Sequence, residues 1–162
     1  MFRNLAAFLF FLMPFCLTST AISLDQDKTI LTVSGKISAG DPAQFSIGKL
    51  EALPRSTIET ATPWHDGRVT FEGVLLSDLM SQIGAEGTRA QVTALNDYRA
   101  VIPMSDFQSS KPILAYKANG QYLTIRDKGP LFIIYPYDDH PEMKTEIYYS
   151  RSVWQVRSIL IE

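Results

Sequence analysis

The chain has 162 residues, a formal net charge of -2 and one cysteine, Cys16. That length suits one domain with a single core and is short for two. The near-neutral charge, with no block of basic residues, argues against nucleic acid as a partner.

The first stretch reads as a secretory signal rather than as part of the fold. Arg3 supplies a positive start, Ala6 to Leu17 are almost wholly apolar, and Ser19-Thr20-Ala21 places small residues where a signal peptidase cuts. The apolar run is short for a bilayer span, so residues 1–21 are expected to be cleaved and 22–162 to form one exported domain. Met13-Pro14-Phe15 before Cys16 lack the small residues that a lipoprotein signal needs. Cys16 then leaves with the signal. The mature chain, about 141 residues, would have no disulfide, thiolate metal ligand or cysteine nucleophile.

In chain order, Thr29 to Ile37 reads as a first strand, with Leu31, Val33 and Ile37 apolar and Gly35 at a bulge. Gly40-Asp41-Pro42 turns the chain. Ser46 is set to cap a helix through Leu50, with Phe45 stapling onto Leu50, and Pro54 stops it. Arg55 to Ala61 carries β-branched residues at strand spacing and leads into the loop Thr62-Pro63-Trp64-His65-Asp66-Gly67. Val69 and Phe71 share a face of an extended piece. Leu75 to Ile83 has apolar residues at helical spacing, closed by Gly84.

Two short strands, Ala90 to Leu95 and Tyr98 to Ile102, flank Asn96-Asp97, and Pro103 to Phe107 reads as one helical turn. Ile113 to Lys117 and Gln121 to Ile125 form a hairpin about Asn119-Gly120, the strongest local turn signal in the chain. Arg126-Asp127-Lys128-Gly129-Pro130 then leads into Leu131 to Pro136, a run with no polar alternation that is expected to be a strand buried on both faces. Ser152 to Ile161, around Trp154, Val156 and Leu160, is the last strand. Eight or nine short strands, two real helices and no βαβ rhythm predict a β-rich mixed α+β domain.

Candidate chemistry lies in loops beside strands. Trp64 either packs back onto the core or waits for a flat ligand. His65 with Asp66 has the composition of a base and its orienter, but adjacent side chains rarely point the same way and no activated serine is apparent. The two histidines, His65 and His140, lie too far apart in sequence to suggest a metal site. Asn96-Asp97-Tyr98 is either a plain turn or a turn that holds a carboxylate at a strand end, able to accept two parallel hydrogen bonds from one ligand edge. Tyr135 and Tyr137 leave the buried strand on one face, and Arg126 and Lys128 stand in the loop before it. Aromatics, carboxylates and cations without a nucleophile suit recognition of a flat, polar heterocycle better than bond breaking.

Val33-Ser34-Gly35, Phe71-Glu72-Gly73-Val74-Leu75-Leu76-Ser77-Asp78-Leu79, Ala115 to Gly120, Gly129-Pro130-Leu131 and Ser152-Val153-Trp154 resemble, in order, the molybdopterin-binding domain of the sulfite oxidase family. The resemblance implies the β-rich fold of that domain. The enzymes of that family bind molybdenum through a cysteine in the loop after an early strand; here that region reads Thr60-Ala61-Thr62-Pro63-Trp64. Together with Thr62-Pro63-Trp64, Asn96-Asp97-Tyr98 and Arg126 to Leu131, the chain looks like small exported proteins of this fold that include pterin-binding regulators of the PruR type. That likeness implies a periplasmic protein holding a free, reduced pterin without molybdenum. Its implied partner is the periplasmic domain of an inner-membrane diguanylate cyclase/phosphodiesterase. Under this reading Trp64 stacks on the ring, Asp97 accepts its N–H and amino group, and Arg126 and Lys128 donate to its oxo group or side chain; Thr62, His65, Asp66, Asn96, Tyr98, Tyr135 and Tyr137 complete the site. The alternatives are a small molybdopterin-dependent oxidoreductase or its electron-transfer accessory, and a scaffold whose pocket is vestigial.

Overall fold

The computed structural model describes residues 27–162. The expected leader and Cys16 lie outside the described residues. The elements are β1 (Leu31–Gly35), β2 (Ala43–Phe45), α1 (Ile47–Glu51), β3 (Arg55–Ala61), β4 (Arg68–Leu75), α2 (Leu76–Gln82), β5 (Arg89–Ala94), β6 (Arg99–Pro103), α3 (Met104–Ser109), β7 (Ile113–Ala118), β8 (Gln121–Tyr122), β9 (Phe132–Ile134), a 3-10 turn (Pro141–Met143), α4 (Glu146–Arg151) and β10 (Val156–Ile161). This is the expected β-rich α+β fold, with short helices between strands.

Two sheets organise it. One runs β2-β1-β10-β5-β6, with β1 and β10 parallel and the rest antiparallel. The other runs β3-β4-β7-β8, and β9 joins β7 beside β8. The main apolar cluster draws Leu31, Val33, Val92 and Ile159 from the first sheet and Val74, Leu114 and Ile133 from the second. A smaller cluster, with Phe71, Ile113, Ala115, Phe132 and Ile134, occupies the other face of the second sheet. The run Leu131 to Tyr137 lies between them and is buried throughout. Alternate residues feed the two clusters, which is why no polar residue interrupts the run.

Local chemistry explains several element boundaries. Ser46 caps α1 by accepting from the Lys49 N–H at 3.3 Å, and Phe45 and Leu50 are both buried as a staple requires. Gly84, at φ +59, ends α2 in the left-handed conformation expected of it. Asn119 and Gly120, at φ +48 and +77, make the tight turn between β7 and β8.

Three expectations change. The run after the hairpin is a strand only over Phe132–Ile134, and β8 only over Gln121–Tyr122. In β10 the buried residues are Val156, Ile159 and Ile161, while Leu160 is partly exposed. The register against β5 shifts between Val156 and Ser158, so Arg157 is an extra residue that flips the inward phase. Finally, β2, the 3-10 turn and α4 have no counterpart in the sequence reading, being too short to show a period.

Candidate functional site

The loop after β3 folds on itself. Thr62 Oγ1 accepts from the Trp64 N–H at 3.4 Å and lies 2.8 Å from His65 Nδ1. This turn swings the half-buried Trp64 inward, where its ring meets three others edge-on: Phe132 at 5.6 Å, Trp154 at 5.6 Å and Tyr149 at 5.8 Å. Edge contacts at these distances are the favoured aromatic geometry. Trp154 is fixed in turn by an isolated bridge from its backbone to Phe132, and the Lys128 ammonium stands 5.2 Å from its ring centre. The Tyr98 hydroxyl donates to the Ser150 carbonyl at 2.9 Å, tying the β5–β6 turn to α4.

Between these groups lies a cavity of about 280 Å³. Its aromatic lining is Trp64, Tyr98, Tyr149 and Trp154, and its polar lining includes Asn96, Glu146 and Ser150. Among the lining residues there is one carboxylate, Glu146, and no lysine or arginine. A volume of this order accepts a bicyclic ring, and aromatic walls with a few polar groups are the usual make-up of a heterocycle site. A groove of about 500 Å³ beside β3 is larger, but Ser56, Ser109, Lys111 and His140 give it neither an aromatic wall nor any of the expected site residues. The chemistry therefore points to the smaller cavity.

The structure brings together part of the expected set. Trp64, Asn96 and Tyr98 line the cavity; Thr62 and His65 stand behind Trp64; Lys128 lies against the Trp154 ring. Asn96 Oδ1 accepts from the Tyr98 N–H at 3.2 Å, which leaves its amide N–H groups for other partners. His65 lies edge-on to Phe71 at 5.4 Å. Burial of its ring, with the Lys128 charge in support and Asp127 opposing, holds its imidazole below the ordinary value.

Other expected residues are placed elsewhere. Asp97, at φ +65, is exposed and holds Arg157 at 2.6 Å instead of lining the cavity, because the bulge in β10 turns Arg157 toward it. Asp66 and Arg126 are exposed and do not line the cavity. Tyr135 and Tyr137 are wholly buried core residues. They share the inward phase of Leu131 and Ile133: the Tyr135 hydroxyl donates to Asp106 at 3.2 Å, and that of Tyr137 meets Ser152. Burial raises both phenols far above the usual range, so they remain neutral donors.

Glu146, Tyr149 and Trp154 are site residues that the sequence reading did not assign. The sequence predicts Trp154 only as part of the last strand. For Tyr149 the available signal is the paired aromatic motif Tyr148-Tyr149, since the six residues of α4 are too few to display a helical face.

Among the described residues no group of three or more histidine, aspartate or glutamate side chains is set to hold a metal ion. No helix among them is long and apolar enough to cross a membrane. No curated protein matches the sequence. Among solved structures, the sulfane dehydrogenase SoxCD from Paracoccus pantotrophus matches with a TM-score of 0.64 at 22% identity. That match covers 87% of this chain and 40% of the other, so it speaks for the fold alone. Residues 18–137 match the oxidoreductase molybdopterin binding domain, well over half of the chain. With the fold in agreement, the chain belongs to the family of oxidoreductase molybdopterin binding domains.

Proposed function

We propose that this domain binds a free pterin in the Trp64–Trp154 cavity and, when loaded, regulates a membrane partner from the periplasm. The observation that carries the reading is the lining: aromatic rings with a single carboxylate and no cation. Molybdopterin carries a phosphate and, in the loaded enzymes that this sequence resembles, a metal held by a thiolate. The residues present fit its bicyclic ring and not those two parts. A phosphate placed in this lining would meet Glu146 rather than an arginine or lysine. The chain's one cysteine, Cys16, lies in the segment read as a leader, and the loop that follows β3 offers Thr62 and His65 in its place.

The surroundings of the cavity support a docking role. Leu95 and Ile147 are exposed apolar neighbours of the lining residues Asn96 and Glu146, and Tyr98 is itself 44% exposed. Ile125 is 63% exposed and is joined to the same region through its carbonyl, which accepts from Gln155 beside Trp154. An apolar rim about a ligand site lets a partner cover both at once, so that occupancy changes its affinity directly. The partner proposed is the periplasmic domain of a diguanylate cyclase/phosphodiesterase in the inner membrane.

The family match favours a second reading, a small molybdopterin-dependent oxidoreductase or its electron-transfer accessory. One preparation separates the two. Protein isolated from its own periplasm is denatured, the released small molecule is identified by fluorescence, and molybdenum is assayed in the same sample. A pterin released without stoichiometric molybdenum is the expected result. Stoichiometric molybdenum would overturn the regulator reading in favour of the oxidoreductase.

A further inference from the structure

We infer that Glu146 is the specificity residue of the cavity, accepting hydrogen bonds from the amino and ring N–H donors of a 2-amino-4-oxo heterocycle. This rests on the pterin reading and deepens it. Three carboxylates outside the lining are each already paired with a cation. Asp97 is taken by Arg157 at 2.6 Å, and Asp106, beneath α4, by Arg151 at 2.8 Å. Asp138 is taken by Lys144 at 2.8 Å. Glu146 lines the cavity, and its carboxylate makes no hydrogen bond or ion pair with any described residue.

A carboxylate has two acceptor oxygens and no donor, so it complements two adjacent donors and is repelled by a carbonyl. The pterin edge offers such a pair, with an oxo group next to it. Asn96 supplies the matching donor, since its Oδ1 is engaged by Tyr98 and its amide N–H groups are left over. The same lining disfavours a 2,4-dioxo ring, whose carbonyl replaces the amino donor and would face the carboxylate. The aromatic walls grip either ring alike, because stacking does not distinguish the substituents at that edge. Selectivity among flat bicyclic ligands is therefore assigned to Glu146.

The test is a titration of the mature protein, monitored by tryptophan fluorescence under dinitrogen, with dihydropterin and with dihydrolumazine, its dioxo counterpart. Wild type is expected to prefer dihydropterin by at least about tenfold, and Glu146→Gln to weaken dihydropterin binding by about tenfold to a hundredfold while abolishing the preference. Glu146 is exposed and begins a six-residue helix, so the variant is expected to keep its fold, which near-ultraviolet circular dichroism checks. Wild type that binds dihydropterin, with a preference that survives in Glu146→Gln, overturns the role of Glu146 and leaves the pterin reading standing. Equal binding of the two rings by wild type also overturns it. Wild type that binds neither ring removes the pterin reading and this inference together.

Discussion

His65, which the resemblance implies as a site residue, stands outside the cavity lining and has a bracing task in place of the base's role its chemistry suggests. Its ring is held between Thr62 Oγ1 and the rings of Phe71 and Phe132, so it braces the loop that carries Trp64. Because burial lowers its folded value below the ordinary 6.5, the fold favours the neutral ring. The stability this contributes is fully present above the unfolded value and is lost as the pH falls through the depressed one. Urea midpoints measured at about pH 7.5 and about pH 5.5 are expected to drop on acidification, and to drop less in His65→Gln. An equal drop in both proteins would assign the acid sensitivity to other groups. Trp64 was legible from the sequence because a large aromatic in a polar loop must be covered by something, and Tyr98 through its place in the Asn96-Asp97-Tyr98 turn. Asp97 was misread for the opposite reason. A turn carboxylate is visible in one dimension, but the Arg157 that occupies it comes from 60 residues away.

At the scale of the elements, local signals were dependable where the cause is local. The cap at Ser46, the glycine after α2 and the Asn-Gly turn each act within a few residues, and each stands where its chemistry put it. Bulges behave differently, because they depend on the partner strand. Between β4 and β7 the register shifts at Glu72/Gly73, leaving Tyr116 as the extra residue on β7. Gly73 is required there by close approach: a Cβ on it would lie 2.2 Å from the Leu114 carbonyl oxygen. Gly73→Ala is therefore expected to lower unfolding free energy by about 1–3 kcal/mol, the range for overpacking a tight site. Urea denaturation measures it, and a change below about 0.5 kcal/mol would mean that the two strands part at no cost. The bulge at Arg157 has a parallel effect on β10, turning Leu160 outward although the sequence alternation places it with Val156.

For the whole molecule, the decisive feature is that the site is assembled at one end of the fold from segments distant in sequence: the loop after β3, the β5–β6 turn, α4 and the lead into β10. Tyr98 donating to Ser150 and the Phe132–Trp154 bridge are the links that close it. The apolar rim about this end gives a prediction at the same scale. If the proposed regulator reading holds, Ile147→Asp is expected to leave pterin affinity within about twofold of wild type, since Ile147 is 59% exposed and outside the lining, yet to abolish retention of the loaded protein on the proposed partner's periplasmic domain. Retention equal to wild type in a surface-binding assay would move the docking face elsewhere.

By itself the sequence determined the β-rich class, most strand and helix positions, the burial of Leu131 to Ile134 and the family, because these follow from periodicity, caps, turns and ordered motifs read along one chain. It also carried Trp64, Asn96 and Tyr98 into the site. Only the tertiary structure decided which carboxylate faces the cavity, that Tyr135 and Tyr137 belong to the core, and that Tyr149 and Trp154 complete the aromatic wall. The physical reason is common to all three. A side chain's direction at a strand end or in a six-residue helix is set by register, bulges and ion pairs with distant partners, and none of these leaves a period in the sequence.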